Sequence, residues 1–490
     1  MSRPRPPHVA VVGGGISGLA GAHRLRAVLG PDARITLVEQ SNRLGGVLRT
    51  IDLAGVPMDV GAEAFLARRP EVPALLRELA LTETLVHPAP VSASVRAAGH
   101  TTGLPARTLL GIPGTGSRLD DLLSAEGLDR VAGEATRPLH WSAGGDVALG
   151  GLLRDRFGDE LTERLVDPLL GGVYAGRVDR LGLRATIPTL AAALDAGAPS
   201  LTAAADRLLP PVPSTGAPSP VFGAVRGGYR VLVEALLAAA DAEVRLGLPV
   251  RELTETATGW RLEIGSASSS GPMSEALDVD AVLLAVPAPA LRRLLAGAAP
   301  EGARAAGEVE LASPVVVALA FRAEDAATLP MTSGVLVAAD EPLGVKAFTH
   351  SARKWPHLAP DATDGLIRLR ASLGRAGDAE TLRVPDDELA GRATTDLATL
   401  TGITAAPVEV HVQRWGGGLP QYGVGHGRLV EELEQAVARR PGLAVAGAML
   451  HGVGVPACIG TGRSAADRLA AFLSSHQPGL RTLVAGPDRS

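Results

Sequence analysis

A glycine-rich turn near the N-terminus constrains the fold of this chain more than any other feature. The apolar run His8–Val12 precedes the turn, which reads Gly-Gly-Gly-Ile-Ser-Gly over residues 13–18, and a helical pattern follows. In such strand–turn–helix units the first glycine permits a tight turn, the second lets a pyrophosphate approach the backbone, and the third allows close helix–strand packing. The helix N-terminus also offers unpaired N–H groups to an anion. The pattern therefore predicts a dinucleotide site on a parallel sheet.

A second segment bears on which dinucleotide binds. The next predicted strand, Arg34–Glu39, ends in a carboxylate 21 residues after Gly18, where such a group accepts hydrogen bonds from ribose hydroxyls. Arg43 and the pair Gly45-Gly46 follow, and an arginine beside open backbone is suited to grip a pyrophosphate a second time. The glycine pattern alone fits NAD and FAD, but together with this segment it favours FAD.

Charge and cysteine content exclude several classes of protein. The formal net charge of −5 lacks the excess of basic residues on which nucleic-acid binding depends. Almost all basic residues are arginine, and Lys346 and Lys354 are the only lysines. The single cysteine, Cys458, permits neither an intrachain disulfide nor a thiolate cluster, and no metal is expected. Apolar stretches are broken before the roughly 20 residues of a membrane-spanning helix, so we expect a cytoplasmic protein without an integral membrane segment.

Strand and helix patterns alternate along the chain. Buried-strand patterns occur at its beginning, middle and end, whereas residues 104–200 have helical periodicity. This order predicts an α/β plus α+β fold, in which a discontinuous Rossmann-type FAD-binding domain contains an inserted mixed-sheet substrate domain and a helical subdomain. The expected limits are FAD-binding 1–67, substrate 68–103, helical 104–200, linker and substrate 201–221, FAD-binding 222–297, substrate 298–440 and FAD-binding 441–490.

Spaced segments beyond the glycine turn carry a family resemblance over nearly the whole chain. After the Arg-Leu-Gly-Gly of residues 43–46 they are GAEAFLARRP (61–70), DPLLGGVYAG (167–176), GGYRVLVEAL (227–236), KWPHLAP (354–360), RWGGGLPQYGVGH (414–426) and GAMLHGVGVPACI (447–459). This series resembles the oxygen-dependent porphyrinogen oxidases, that is coproporphyrinogen III and protoporphyrinogen oxidases, within the flavin amine oxidase superfamily. Amine oxidases and carotenoid desaturases share the N-terminal part but not the later series.

The resemblance implies a non-covalently bound FAD. It assigns the glycine turn to the pyrophosphate, Glu39 to the ribose, Val250 to the adenine through its backbone, and Trp415 to the isoalloxazine. The residues that it implies for cofactor binding are Gly13, Gly14, Gly15, Ile16, Ser17, Gly18, Glu39, Gln40, Arg43, Gly46, Val47, Gly61, Ala62, Glu63, Ala64, Val250, Trp415, Gly454, Val455 and Pro456.

The resemblance also implies a reduced tetrapyrrole with carboxylates as substrate and dioxygen as electron acceptor. Six electrons would leave in three two-electron steps that release hydrogen peroxide. Arg69 matches a position where a basic residue meets a propionate, with Arg68 as the weaker candidate, and His451 could approach the flavin or the substrate. Ser372 stands where the family often has a tyrosine. No catalytic acid or base is assigned, and transient contact with the next enzyme of heme biosynthesis is expected.

Alternatives stay open at this point. Regular charges in the helical region disfavour a membrane-bound face and favour coproporphyrinogen III over protoporphyrinogen IX. A flavin amine oxidase would need an aromatic cage, for which the aromatic content of 3 % leaves little room. A non-catalytic tetrapyrrole carrier on the same fold is the remaining alternative.

Overall fold

The computed structural model describes residues 5–210, 220–265 and 275–476. In these ranges the strands are β1 (His8–Val12), β2 (Arg34–Glu39), β3 (Thr50–Leu53), β4 (Val56–Asp59), β5 (Phe65–Leu66), β6 (Leu85–Val86), β7 (Ser94–Ala97), β8 (His100–Gly103), β9 (Thr108–Leu109), β10 (Ile112–Pro113), β11 (Phe222–Val225), β12 (Glu243–Leu246), β13 (Val250–Thr256), β14 (Gly259–Ile264), β15 (Glu275–Val279), β16 (Ala281–Leu284), β17 (Leu311–Ala312), β18 (Val315–Arg322), β19 (Gly334–Val337), β20 (Val345–Thr349), β21 (Leu366–Leu373), β22 (Glu409–Arg414), β23 (Leu419–Pro420) and β24 (Leu443–Val445). The helices are α1 (Ile16–Leu29), α2 (Glu71–Glu78), α3 (Ala125–Ala132), α4 (Leu149–Phe157), α5 (Asp159–Leu161), α6 (Asp167–Tyr174), α7 (Leu183–Thr186), α8 (Pro188–Asp195), α9 (Leu201–Leu208), α10 (Tyr229–Ala240), α11 (Ala288–Ala298), α12 (Pro300–Gly307), α13 (Ser351–Lys354), α14 (Asp386–Thr401), α15 (His426–Ala438) and α16 (Val455–His476).

The first large sheet has five parallel strands in the order β12-β2-β1-β16-β24. These strands come from the beginning, middle and end of the chain. Helices cover both faces of the sheet, which is why its inner strands are mostly apolar. One apolar cluster contains residues of α1, α10 and α16, and the other contains residues of α11, α12 and α15. This arrangement confirms the predicted Rossmann-type fold built from separated parts of the sequence.

The second large sheet has seven strands in the order β22-β18-β21-β20-β19-β7-β8. It is mixed, since β19 and β7 pair in parallel while the other neighbours are antiparallel. One face packs on α14 in a cluster that includes Leu389 and Leu397. On the other face, Val316 and Ala318 share a cluster with Leu53 of β3. The mixed sheet that the sequence predicts is therefore present. One of its faces packs against β3, which follows the glycine turn in the chain.

The helices α4 and α6–α9 share a third apolar core. Residues 201–208, which the sequence assigned to a linker and the substrate domain, belong to this core. They form α9, and Leu201, Ala204 and Ala205 are buried on one helical face because residues three and four apart project from the same side. Residues 211–219 of the predicted linker lie outside the described residues. In the described ranges, no helix has both the length and the apolarity needed to cross a membrane.

A buried ion pair fastens the helical region. The side chains of Glu134 and Arg156 are 0 % and 3 % exposed, and Arg156 Nε donates to Glu134 Oε1 at 2.9 Å. The same carboxylate accepts the backbone N–H groups of Leu201 and Thr202 at the start of α9. Burial alone would raise the pKa of Glu134, but the two backbone donors and Arg156 lower it. The ionised carboxylate therefore links α4 to α9.

Replacing Glu134 with glutamine should lower the free energy of unfolding by about 3 kcal/mol, because the buried guanidinium loses its counter-ion. Denaturant unfolding at neutral pH, followed by circular dichroism, measures the loss. Glu308→Gln is the matched control, since Glu308 pairs with Arg304 at an exposed site, and it should change stability by less than about 1 kcal/mol. Equal losses in the two variants would contradict the role of the buried pair.

Candidate functional site

The glycine turn between β1 and α1 combines two structural glycines with one that faces open space. Gly13 has a φ of +104°, and a Cβ there would lie 2.3 Å from Ala285 O. A Cβ at Gly18 would lie 1.9 Å from Gly13 O, so neither position accepts a side chain. At Gly15 a Cβ would meet nothing nearer than Gly46 Cα at 4.0 Å. Since packing does not require glycine at Gly15, its missing side chain keeps the backbone clear for a ligand.

The start of α1 is suited to an anion. Its N-cap, Gly15, provides no side-chain hydrogen bond, and the first turn contains no acidic residue. The first N–H groups of a helix have no partner within the helix and lie at the positive end of its dipole. An uncapped helix start beside cleared backbone therefore fits a pyrophosphate.

Glu39 is fixed beside this turn at the end of β2. Its Oε2 accepts the N–H of Gly14 at 2.7 Å, and its Oε1 accepts the N–H of Ser41 at 2.8 Å. A carboxylate has further lone pairs on both oxygens, so Glu39 can also accept two ribose hydroxyls. Gln40 is exposed next to it.

Val250 lies near the same end of β2. The N–H of Leu248 donates to Glu39 O at 3.1 Å, which brings the start of β13 to this edge of the sheet. Val250 is buried, and its carbonyl accepts Arg293 Nη2 at 2.9 Å. The contact between the Val250 backbone and adenine stays a prediction. One lone pair of the Val250 carbonyl already accepts the hydrogen bond from Arg293.

Arg43 holds its own loop. Its guanidinium donates to Gly46 O at 2.7 Å and to Leu44 O at 3.2 Å, and it lies 5.7 Å from the centre of the Trp415 ring. The loop in turn joins the glycine turn, since the N–H of Gly45 donates to Gly14 O at 2.8 Å. Arg43 thus shapes the loop around the predicted pyrophosphate site, and direct contact with the phosphates stays a prediction.

Residues predicted for the ring side of the cofactor come together from distant parts of the chain. A Cβ at Gly61 would lie 1.8 Å from Val47 O and 3.1 Å from Trp415. The indole Nε1 of Trp415 donates to Val60 O at 2.9 Å. Arg370 on β21 donates to Gly61 O at 3.1 Å. The seven-stranded sheet is therefore tied to the backbone that follows β4.

Glu63 turns its side chain to other protein groups. Its carboxylate accepts Ser351 Oγ and Lys354 Nζ, each at 2.9 Å, and Arg370 Nε lies 3.9 Å away. Burial alone would raise the pKa of Glu63, but Arg370, Lys354 and the hydrogen bonds lower it to about 2. Any contact of Glu63 with a cofactor would therefore come from its backbone, because the carboxylate is already engaged.

Sequence reasoning missed Asp59 at the end of β4. Its Oδ1 accepts Thr50 Oγ1 at 2.5 Å and the N–H of Tyr229, the first residue of α10, at 3.1 Å. Burial raises the pKa of Asp59 to about 7, against the opposing effect of these hydrogen bonds. The available signal was an aspartate directly before Val60-Gly61, together with the Gly227-Gly228 pair that precedes the helix pattern from Tyr229 onward.

The start of α16 adjoins the glycine turn. A Cβ at Gly462 would lie 2.1 Å from Ser17 O, so α16 and α1 cross in close contact. Val455 in the first turn of α16 belongs to the same apolar cluster as Ile16 and Ala62. No acidic residue lies in this first turn. Residues 454–456 are thus near the other predicted cofactor residues, and their contact with the flavin ring stays a prediction.

The predicted substrate residues do not form one group. Arg69 and His451 line a surface cleft of about 230 Å³ together with Thr461 and Arg468. Arg69 is ion-paired with Glu71.

His451 Nε2 lies 2.9 Å from Glu434 Oε1, and its side chain is 57 % exposed. Arg68 is exposed. Ser372 lies elsewhere, on β21 between Val316 and Ala347 of the neighbouring strands. The sequence also missed Lys346, which lies on that sheet and is buried.

Comparisons with known proteins identify the family of the chain. The family described as "Flavin containing amine oxidoreductase" matches residues 16–470. The chain is 45 % identical to the "Coproporphyrinogen III oxidase" of Mycobacterium tuberculosis, over 93 % of this chain and 95 % of that protein. It is 46 % identical to the protein of the same name from Mycobacterium leprae, over 94 % and 98 % of the two chains.

A solved structure from Exiguobacterium sp. 255-15, named "Putative protoporphyrinogen oxidase", superposes with a TM-score of 0.81. The sequence identity is 29 %, and the alignment covers 95 % of this chain and 99 % of that one. The family match extends over most of the chain and includes the seven-stranded sheet, the helical region and every strand of the five-stranded sheet except β1. The chain belongs to the family of flavin-containing amine oxidoreductases.

Proposed function

We propose that this protein is an FAD-dependent oxidase that converts coproporphyrinogen III into coproporphyrin III. The observation that carries the proposal is the identity of 45–46 % with two mycobacterial proteins of that activity by name. The similarity extends over 93–94 % of the chain, so it includes the mixed sheet and the helical region as well as the dinucleotide fold.

The residues present fit FAD. Gly15 keeps the backbone clear where packing alone would allow a methyl group, and α1 begins without a side-chain cap. Glu39 is held at the end of β2 by two backbone N–H groups. Gly46, Val47 and residues 61–64 would then follow the ribityl chain toward the ring. These assignments are residue-level proposals that rest on the shape of the turn and its neighbours.

FAD, when bound, supplies an acceptor for two electrons at a time, so three rounds account for the six electrons that separate porphyrinogen from porphyrin. The protein's own residues position the cofactor and the substrate. Trp415 is fixed by its bond to Val60 O, and Arg370 is fixed by carbonyls of the segment after β4. The start of α16 offers the positive end of a helix dipole to developing negative charge. Because the product gains aromaticity, no strong protein base is assigned.

The order of similarity favours coproporphyrinogen III over protoporphyrinogen IX. Two proteins named for the first substrate are 45–46 % identical to this chain, and three others of that name are 26–32 % identical, whereas the solved structure named for the second is 29 % identical. Protoporphyrinogen IX is therefore the alternative substrate. Dioxygen as electron acceptor, a transient contact with the next enzyme of heme biosynthesis and a cytoplasmic location are further parts of the proposal.

Purified protein, incubated aerobically with coproporphyrinogen III, should produce coproporphyrin III and three molecules of hydrogen peroxide per porphyrin. Porphyrin fluorescence and a peroxide assay measure the two products. Protoporphyrinogen IX should react more slowly under the same conditions. Rates no higher than in the enzyme-free control would contradict the proposed activity, and faster oxidation of protoporphyrinogen IX would support the alternative substrate.

Replacing Gly15 with alanine should weaken FAD binding at least about tenfold, since the new methyl group would occupy the approach of the pyrophosphate. The flavin content of the purified protein and FAD titration of the apoprotein measure this loss. Gly297→Ala is the matched control: Gly297 lies in α11 and has no neighbouring atom within 4 Å of an added Cβ. Full flavin content in Gly15→Ala would remove the turn from the cofactor site.

Replacing Arg69 with alanine should raise the KM for coproporphyrinogen III by about tenfold if the guanidinium holds a propionate, because charged hydrogen bonds contribute about 1.5–3 kcal/mol. Steady-state kinetics measure KM and kcat separately. Arg77→Ala, at an exposed position of the neighbouring helix α2, is the control and should leave both constants unchanged. An unaltered KM in Arg69→Ala would show that the ion pair with Glu71 is its only role.

A further inference from the structure

Lys346 is one of two lysines in a chain that otherwise uses arginine. It lies in β20 and is only 7 % exposed. The pairing of β20 with β21 shifts at this residue, since Val345 pairs with Leu373 and Ala347 pairs with Ser372. Lys346 is therefore the additional residue of a β-bulge. Bulges redirect a side chain and occur often beside active sites.

The ammonium group of Lys346 lacks an anionic partner. It forms no hydrogen bond or ion pair with a residue in the described ranges, and burial together with Arg375 lowers its pKa to about 7. The other lysine shows the contrast: Lys354 is partly buried and donates to Glu63 at 2.9 Å. A buried cation without a partner is costly, so Lys346 is explained better by a ligand than by the folded chain.

The carboxylates near Lys346 are engaged by other protein groups. Arg375 Nη1 pairs with Asp167 Oδ2 at 2.9 Å, and the same aspartate accepts the N–H of Val178 at 2.9 Å. Arg375 lowers the pKa of Lys346 more than Asp378 raises it, and Asp378 is exposed and bound to Thr381. Neither aspartate therefore forms an ion pair with Lys346, which stays available to an incoming anion.

The bulge lies on the sheet that also carries the predicted ring-side residues. Trp415 directly follows β22, and β20 is three strands away in the order β22-β18-β21-β20. At the usual strand spacing this separation is about 14 Å. Helix α6 packs against β19 and β20, and a Cβ at its Gly171 would lie 3.1 Å from Arg375 Nη1. A tetrapyrrole at Trp415 has the breadth to extend its propionates toward this junction.

We propose that Lys346, assisted by Arg375, binds one propionate carboxylate of the tetrapyrrole at the junction of β20 and α6. This inference rests on the proposed function and adds a residue that recognises the substrate. A carboxylate would supply the counter-charge that Lys346 does not find among the described residues. It would also form a charge-assisted hydrogen bond with the ammonium group. Burial lowers the pKa of Lys346, and a carboxylate bound beside it would raise that pKa and favour the charged form.

The test compares Lys346→Met with Lys346→Arg in the flavin-loaded protein. Lys346→Met should raise the KM for coproporphyrinogen III at least about tenfold, with kcat changed less than about twofold, since a charge-assisted hydrogen bond to the substrate is lost. Lys346→Arg keeps the charge and should retain most of the affinity. Arg322→Gln, an exposed site at the end of β18 in the same sheet, is the control for the general loss of a positive charge and should leave both constants unchanged.

Equilibrium binding of coproporphyrin III, followed by quenching of porphyrin fluorescence, gives a readout that needs no turnover. Its Kd should rise in Lys346→Met in parallel with KM. Thermal unfolding of the same variants separates recognition from folding. Removing an unpaired buried charge should leave the unfolding temperature unchanged or raise it, because the uncompensated ammonium destabilises the fold.

Tight binding of coproporphyrin III by a folded Lys346→Met would overturn the inference. So would a fall of more than about 5 °C in the unfolding temperature of both variants, which would indicate a structural role. These outcomes are distinct from failure of the proposed function, which is decided by the wild-type protein. If the wild type oxidises coproporphyrinogen III and Lys346→Met behaves in the same way, the function stands and the assignment of Lys346 is wrong.

Discussion

Backbone contacts that leave no space for a methyl group hold the dinucleotide fold together. A Cβ would lie 1.9 Å from a carbonyl oxygen at Gly18, 2.1 Å at Gly462 and 1.8 Å at Gly61. These three glycines come from the first helix, the last helix and the segment after β4. Gly18 lies against Gly13, Gly462 against Ser17 and Gly61 against Val47, so α16 crosses α1 near its start and the segment after β4 lies against the loop that contains Val47. The proposed positions of pyrophosphate and ring follow from this packing.

Arginine side chains join the mixed sheet to the dinucleotide fold. Arg368 donates to Leu53 O and Ala54 O, and Arg370 donates to Asp59 O and Gly61 O. A guanidinium presents several donors in one plane, so one residue can satisfy two carbonyls of a neighbouring element. The charge of Arg370 also needs a negative group nearby, and Glu63 supplies it at 3.9 Å. The lowered pKa of Glu63 is the result of this interaction with Arg370 and of its contact with Lys354.

The site could be predicted from sequence where local pattern determines it. The turn at residues 13–18, the strand ending in Glu39 and the mixed sheet follow from spacing and periodicity, and the fold class is confirmed. Partners of individual side chains could not be predicted. Glu63 binds Ser351 and Lys354 from nearly three hundred positions away, and Arg69 forms an ion pair with Glu71. The linker limit at residue 201 was wrong because α9 finds its apolar partners in the helical core.

The sequence by itself determined that this chain forms a dinucleotide fold with inserted parts, because glycine spacing and apolar periodicity act over a few neighbouring residues. It also determined the family, because the matching segments are spaced along almost the whole chain. Only the tertiary structure decided which charges are compensated. Lys346 and Lys354 look alike in sequence, yet among the described residues Lys354 has a carboxylate at 2.9 Å whereas Lys346 has no ion-pair partner. The physical reason is that the free energy of a buried charge depends on groups brought near it by folding, which no local pattern encodes.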